Sequence, residues 1–305
     1  MKINPRTIAI GVIFITAAIW GVTFVTQKIA GEHMGAFTYN GARFLLASIT
    51  LIPAIYLLEK RTLRTQNEQN PPTRKTTWLA GAFGGIIIFF AANLQQFGII
   101  LSDSPSAAGE AGFITGMYII FVPILGLFLG RRVRGLVWVS AALAFGGLAL
   151  ITIGPGGLAT IQTTDMLLVA CAVFWAVHIL LIDRFANQIK PITFVAVKFL
   201  VCGALSAAAA LIFESPALQH LIDGLWVLLF GGVVASGLTY TLQTLAQRHV
   251  EPALAAIIFS LEALFAALSE ALFLGDTMTP QKYLGGGIIF IGILLAQHKK
   301  KKPPD

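Results

Sequence analysis

The sequence predicts an all-α integral membrane protein whose ten transmembrane helices form two inverted five-helix repeats. Three observations carry this expectation. Hydrophobic residues fill 56% of the 305 positions and charged residues 11%, under half the roughly 25% charge of a soluble domain, and mean hydropathy is +0.81. The apolar residues gather into ten runs, each close to the roughly 20 residues that a helix needs to cross a bilayer core. All but four of the basic residues fall in every second break between those runs.

The runs cover residues 8–30, 37–58, 77–100, 106–130, 135–153, 164–183, 192–213, 222–246, 252–274 and 281–297. Backbone polar groups in lipid must be satisfied within their own segment, so each is read as a helix. The first run follows Lys2 and Arg6 and is too long for a signal-peptide core, so it is expected to stay as a span. The second carries Arg43 and ends in the polar stretch 59–76. The third holds Asn93, Gln95 and Gln96. The fourth holds Glu110 and Pro123, a residue that kinks helices. The fifth ends at Gly154-Pro155-Gly156-Gly157. Cys171 in the sixth run and Cys202 in the seventh are read as small core hydrophobes, because no disulfide framework or metal spacing surrounds them. Gly81/Gly85, Gly112/Gly116 and Gly126/Gly130 have the small-xxx-small spacing of close helix packing.

One set of breaks holds Lys2 and Arg6; Lys60, Arg61, Arg64, Arg74 and Lys75; Arg131, Arg132 and Arg134; Arg184 and Lys190; Arg248; and Lys299 to Lys302. These are all but four of the 21 basic residues. Lys28 and Lys282 lie in the opposite breaks, and Arg43 and Lys198 lie within spans. The positive-inside rule then puts both termini in the cytoplasm and the protein in the cytoplasmic membrane. The net charge of +7 is read as topology and not as a nucleic-acid footprint.

Shifting the chain by 155 residues lays Trp20 on Trp175, Val22 on Val177, Thr38 on Thr193, and Arg43-Phe44-Leu45 on Lys198-Phe199-Leu200. At 147, Gly84-Gly85 meets Gly231-Gly232 and Gln96 meets Gln243; at 145, Phe128-Leu129-Gly130 meets Phe273-Leu274-Gly275. The two repeats are placed at residues 1–153 and 154–305. Five spans per repeat is an odd number, so the repeats must run antiparallel. Such halves offer two near-equivalent packings, one open to each side, with a substrate site between them.

Several stretches carry a family resemblance. They are Ala18-Ile19-Trp20-Gly21-Val22-Thr23-Phe24, Arg43-Phe44, Leu94-Gln95-Gln96-Phe97-Gly98, Gly112-Phe113-Ile114-Thr115-Gly116 with Val122-Pro123-Ile124, and Ser260-Leu261-Glu262-Ala263-Leu264-Phe265 leading to Phe273-Leu274-Gly275-Asp276. In this order they resemble the drug/metabolite transporter superfamily, with two EamA-type halves over nearly the whole chain. The resemblance implies a ten-helix secondary transporter that exports amino acids, other metabolites or drugs and needs no cofactor. The chain departs from the family pattern at Ala263, where proline is usual, and at Asp276, where glutamate is common.

Polar residues within spans face the bundle interior or a wet cavity. The candidate substrate-binding residues are Trp20, Thr23, Asn93, Gln96, Trp175, His178, Tyr240, Gln243 and Glu262. Glu110, Glu262 and Glu270 are the candidate proton-coupling carboxylates. Arg43 and Lys198 are read as structural cations. This set suits a zwitterion with an apolar side chain or an amphipathic drug. Efflux of drugs and uptake of metabolites are alternatives on the same fold. An intramembrane enzyme is a third, disfavoured because there is no HExxH helix, no G-x-S-x-G elbow and no P-loop. The expected partners are a small-molecule substrate and the lipid bilayer, with no nucleic acid; the sequence leaves a homodimer open.

Overall fold

The computed structural model describes residues 4–59, 72–104, 107–152, 163–273, 275 and 279–297. The link Gly154 to Gly157, Asp276, Lys2, Lys60, Arg61, Arg64 and the basic tail Lys299 to Lys302 lie outside these residues. Ten apolar rods follow in order, and each predicted run is recovered within a few residues. They are α1 (Pro5–His33), α2 (Ala36–Glu59), α3 (Arg74–Ile100), α4 (Ala107–Phe128), α5 (Gly135–Thr152), α6 (Thr163–Phe185), α7 (Pro191–Phe213), α8 (Leu225–Ala246), α9 (Pro252–Phe273) and α10 (Pro280–Gln297). A short helix, Leu218–Asp223, leads into α8.

Local chemistry sets the ends. Asn4 and Thr73 cap α1 and α3 by accepting from the Arg6 and Thr76 backbone N–H groups, each at 3.0 Å. Proline opens α1, α7 and α9 at a position whose N–H has no helical partner anyway. Beyond the ends of α4 and α9, Gly130 and Gly275 both adopt a φ of 74°, the left-handed conformation that glycine reaches without strain. They are the glycines that the 145-residue shift superposes.

Two long helices are broken at corresponding places. Helix α4 divides into Ala107–Thr115 and Tyr118–Phe128, and α9 into Pro252–Phe259 and Glu262–Phe273. The interruption in α4 falls at Gly116–Met117 and not at Pro123, which sits inside the second piece. Helix α8 is π-helical over Phe230–Leu238, and there Thr239 Oγ1 donates to the Val234 carbonyl five residues back.

The two halves pack against each other most extensively in two pairs, α2 on α7 and α5 on α10. The first pair is clasped at both ends. Glu214, at the end of α7, accepts from the Phe37 N–H at 2.9 Å, the Thr38 N–H at 2.8 Å and the Thr38 hydroxyl at 2.6 Å, at the start of α2. Glu59, at the end of α2, accepts from the Ile192 N–H at 3.1 Å, the Thr193 N–H at 3.3 Å and the Thr193 hydroxyl, at the start of α7. Each carboxylate satisfies donors at a helix N-terminus, where the backbone dipole favours negative charge. Helix α2 ends where α7 begins and the reverse, so the pair is antiparallel and the halves are inverted.

The repeat also shows in the glycine crossings. A Cβ on Gly85 of α3 would come 2.6 Å from the Lys198 carbonyl oxygen, and one on Gly232 of α8 would come 2.9 Å from that of Arg43. Only glycine lets the helices approach so closely. Outside the bundle, large apolar side chains such as Ile49, Leu79, Phe83, Leu211 and Phe290 are exposed on the perimeter, as a lipid-facing surface requires. At one end Arg131 pairs with Asp183, and Arg248 donates to the Ala186 and Ile189 carbonyls, each at 2.9 Å, where a cation suits helix C-termini.

Candidate functional site: a cavity between the halves

The breaks in α4 and α9 meet at the centre of the bundle. Tyr118 opens the second piece of α4, and its hydroxyl donates to Glu262 Oε1 at 2.9 Å. Glu262 sits in the first turn of its half-helix, at the positive end of that helix's dipole. Its side chain lines a cavity between the halves. Helices α1 to α4 of the first half and α6, α8 and α9 of the second supply its walls.

Six of the sixteen lining residues are aromatic. The Trp20 ring lies 4.8 Å from that of Tyr240 and 5.1 Å from that of Phe259, and Trp175 lies 6.0 Å from Tyr240. Trp20 Nε1 donates to the Ala235 carbonyl at 3.0 Å, which ties α1 to the π-helical stretch of α8. Thr23, Gln27, Gln95, Thr115, Ser236 and Gln243 add neutral polar groups. Gln27 donates to Gln95 and Gln95 to Thr115, each at 3.3 Å. The Gln243 Oε1 atom is buried with no protein partner.

Of the residues singled out from the sequence, Trp20, Thr23, Trp175, Tyr240, Gln243 and Glu262 all line this cavity. Asn93 and Gln96 do not. Asn93 donates to Ser206 at 3.0 Å and accepts from Asn40 at 2.9 Å, and Gln96 donates to the Gln27 carbonyl at 2.8 Å, so both join helices. His178 lies behind the wall, with Nε2 at 3.1 Å from Lys198 Nζ. Glu110 accepts from Ser104 at 2.7 Å, and Glu270 accepts from the Gly109 N–H at 3.1 Å near the start of α4. Neither glutamate is on the cavity. Sequence reasoning missed Gln27 and Tyr118 as lining residues, and it read Arg43 as structural, although Arg43 reaches the wall.

The two in-span cations occupy matching aromatic cages. Arg43 Cζ lies 4.8 Å from the Tyr39 ring centre and 4.4 Å from that of Phe44. Lys198 Nζ lies 5.2 Å from Phe194 and 5.0 Å from Phe199, the residues superposed by the 155-residue shift. Phe44 and Phe199 stack on each other at 4.9 Å. Neither cation has a carboxylate partner among the described residues, so cation–π contacts supply part of the stabilisation lost on leaving water.

Comparison with known proteins agrees with this architecture. A solved crystal structure superposes with a TM-score of 0.70 at 19% identity, covering 93% of this chain and 95% of that one, which shows a shared fold. An uncharacterised transporter of Archaeoglobus fulgidus is 26% identical over 282 residues, 92% of this chain and 83% of that protein. The uncharacterised inner membrane transporter YedA of Escherichia coli is 24% identical over 291 residues, 93% of this chain and 89% of that protein. The threonine/homoserine exporter RhtA of Escherichia coli is 29% identical over 187 residues, 58% of this chain and 60% of that protein. The EamA-like transporter family matches twice, at residues 7–153 and 162–297. Ten apolar helices in two inverted halves, each half matched by that family, make this chain a membrane transporter of the EamA-like family.

Proposed function

We propose that the protein is a secondary transporter that exports amino acids or closely related small metabolites across the cytoplasmic membrane by alternating access. The observation that carries this reading is the cavity itself, which lies between the two halves and combines one carboxylate, one guanidinium and neutral hydrogen-bonding groups with aromatic walls. The partial similarity to a threonine/homoserine exporter supports the substrate class. We place the boundary between the moving halves at the link after residue 153 and both termini in the cytoplasm, where the basic breaks would lie. Trp20, Trp175 and Tyr240 would hold the apolar part of a substrate, and Glu262 its cationic part or a proton. The aromatic lining also favours efflux of amphipathic drugs as a second reading.

Counterflow with purified protein in liposomes tests the reading. Vesicles loaded with unlabelled amino acid should accumulate external labelled amino acid transiently and saturably. If none of the twenty amino acids shows counterflow, the proposal falls; if an amphipathic cation does so instead, the second reading replaces it.

A further inference from the structure

Arg43 and Lys198 are repeat mates, yet their surroundings differ. Lys198 is fully buried, covered by His178 at 3.1 Å and by the Tyr240 ring 4.5 Å from its Nζ, and it does not reach the cavity wall. Arg43 has no such cover. It is 4% exposed, its Nε is buried with no partner, and its side chain forms part of the cavity wall. Gly231 and Gly232 of α8 cross close against the stem and backbone of Arg43. A buried guanidinium without an anion is costly, and it is kept where an anion will meet it. Its planar fork of N–H donors matches a carboxylate in two parallel bonds.

We infer that Arg43 is the carboxylate-binding residue of the cavity, and that with Glu262 it makes a two-pole site for zwitterionic α-amino acids with an uncharged side chain. Arg43 takes the substrate's α-carboxylate and Glu262 receives its ammonium group. The apolar side chain lies against Trp20, Tyr240 and Phe259. A cationic drug would meet Arg43 unpaired, and a simple anion would meet Glu262, so both are disfavoured by like charge. This inference rests on the amino-acid reading above.

The test uses purified protein in liposomes. The amino acid with the fastest counterflow is compared with its methyl ester, which lacks the negative charge, and with the amine left by its decarboxylation. In the unmodified protein each analogue should compete at least about tenfold more weakly than the amino acid, the equivalent of losing about 1.4 kcal/mol. Arg43→Gln should raise KM for the amino acid and shrink the gap between acid and ester to within about twofold. Arg43→Lys, which keeps the charge but not the fork, should retain the gap with a raised KM, and this guards against reading a folding defect as lost recognition. An ester that competes as well as the acid, or an Arg43→Gln protein with unchanged KM and unchanged preference, overturns the inference while amino-acid transport stands. Absence of counterflow for every amino acid overturns both.

Discussion

Replacing Glu214 by alanine removes one clasp of the α2–α7 pair, and the structure sets the size of the loss. Three donors at the start of α2 lose their acceptor: the Phe37 and Thr38 N–H groups and the Thr38 hydroxyl. Truncating a helix N-cap costs about 0.5–2 kcal/mol, and donors left without partners raise this where water cannot reach them. Glu214 is half-buried, so water repairs part of the damage, and about 1–2 kcal/mol is the expected destabilisation. Glu59 makes the equivalent bonds at the other end but is buried, so Glu59→Ala should cost more, about 2–3 kcal/mol. Helix α2 runs 24 residues, roughly 36 Å at about 1.5 Å per residue. The clasps therefore share no partner, and their costs should add to within about 0.5 kcal/mol. Equilibrium unfolding in detergent of the two single variants and the double variant measures all three quantities. Loss of less than 0.3 kcal/mol in both single variants, or a double variant no worse than the weaker single, would refute the reasoning that these carboxylates hold the inverted halves together.

Other outcomes follow from the cavity and the crossings. Trp20→Ala and Trp175→Ala should each reduce transport severalfold in a vesicle flux assay while membrane insertion stays normal; wild-type rates in both would take the rings out of the substrate path. Glu262→Gln should impair flux and Glu110→Gln should not, because Glu110 bonds to Ser104 away from the cavity; equal effects would argue against this division. Gly85→Ala and Gly232→Ala put a methyl group against backbone carbonyls and should each cost about 1–3 kcal/mol of stability by overpacking, read as lower melting temperatures in detergent. Unchanged melting would mean that these helices are not in close contact.

The spans were legible because lipid imposes both a length and a composition on every crossing helix, and the inverted pairing was legible because a five-span repeat must reverse. The clasps were visible in principle. Glu59 and Glu214 lie 155 positions apart, the shift that superposes Thr38 on Thr193, yet a glutamate at the end of an apolar run reads as an ordinary loop charge. Cavity residues were harder to sort. A polar residue within a span either faces the cavity or bonds to a neighbouring helix, and sequence does not give the rotation of each helix about its axis. Asn93, Gln96 and His178 therefore look like Gln243 and Glu262 in sequence, but their partners on α1, α2 and α7 take them off the wall. Arg43 went the other way, since it reaches the cavity wall while its repeat mate Lys198 does not. The breaks at Gly116–Met117 and Ser260–Leu261 carry no proline, so they left little trace in the sequence, although they bring Tyr118 to Glu262.

Accessibility of Thr23 from each side of the membrane tests alternating access most directly. With buried Cys171 and Cys202 replaced by alanine, Thr23→Cys places one thiol on the cavity wall. An impermeant thiol reagent applied to right-side-out and to inside-out vesicles should label it from both sides, and saturating substrate should shield it in both. Labelling from one side alone under every substrate condition, or a thiol that substrate never shields, would contradict a central cavity that faces each compartment in turn.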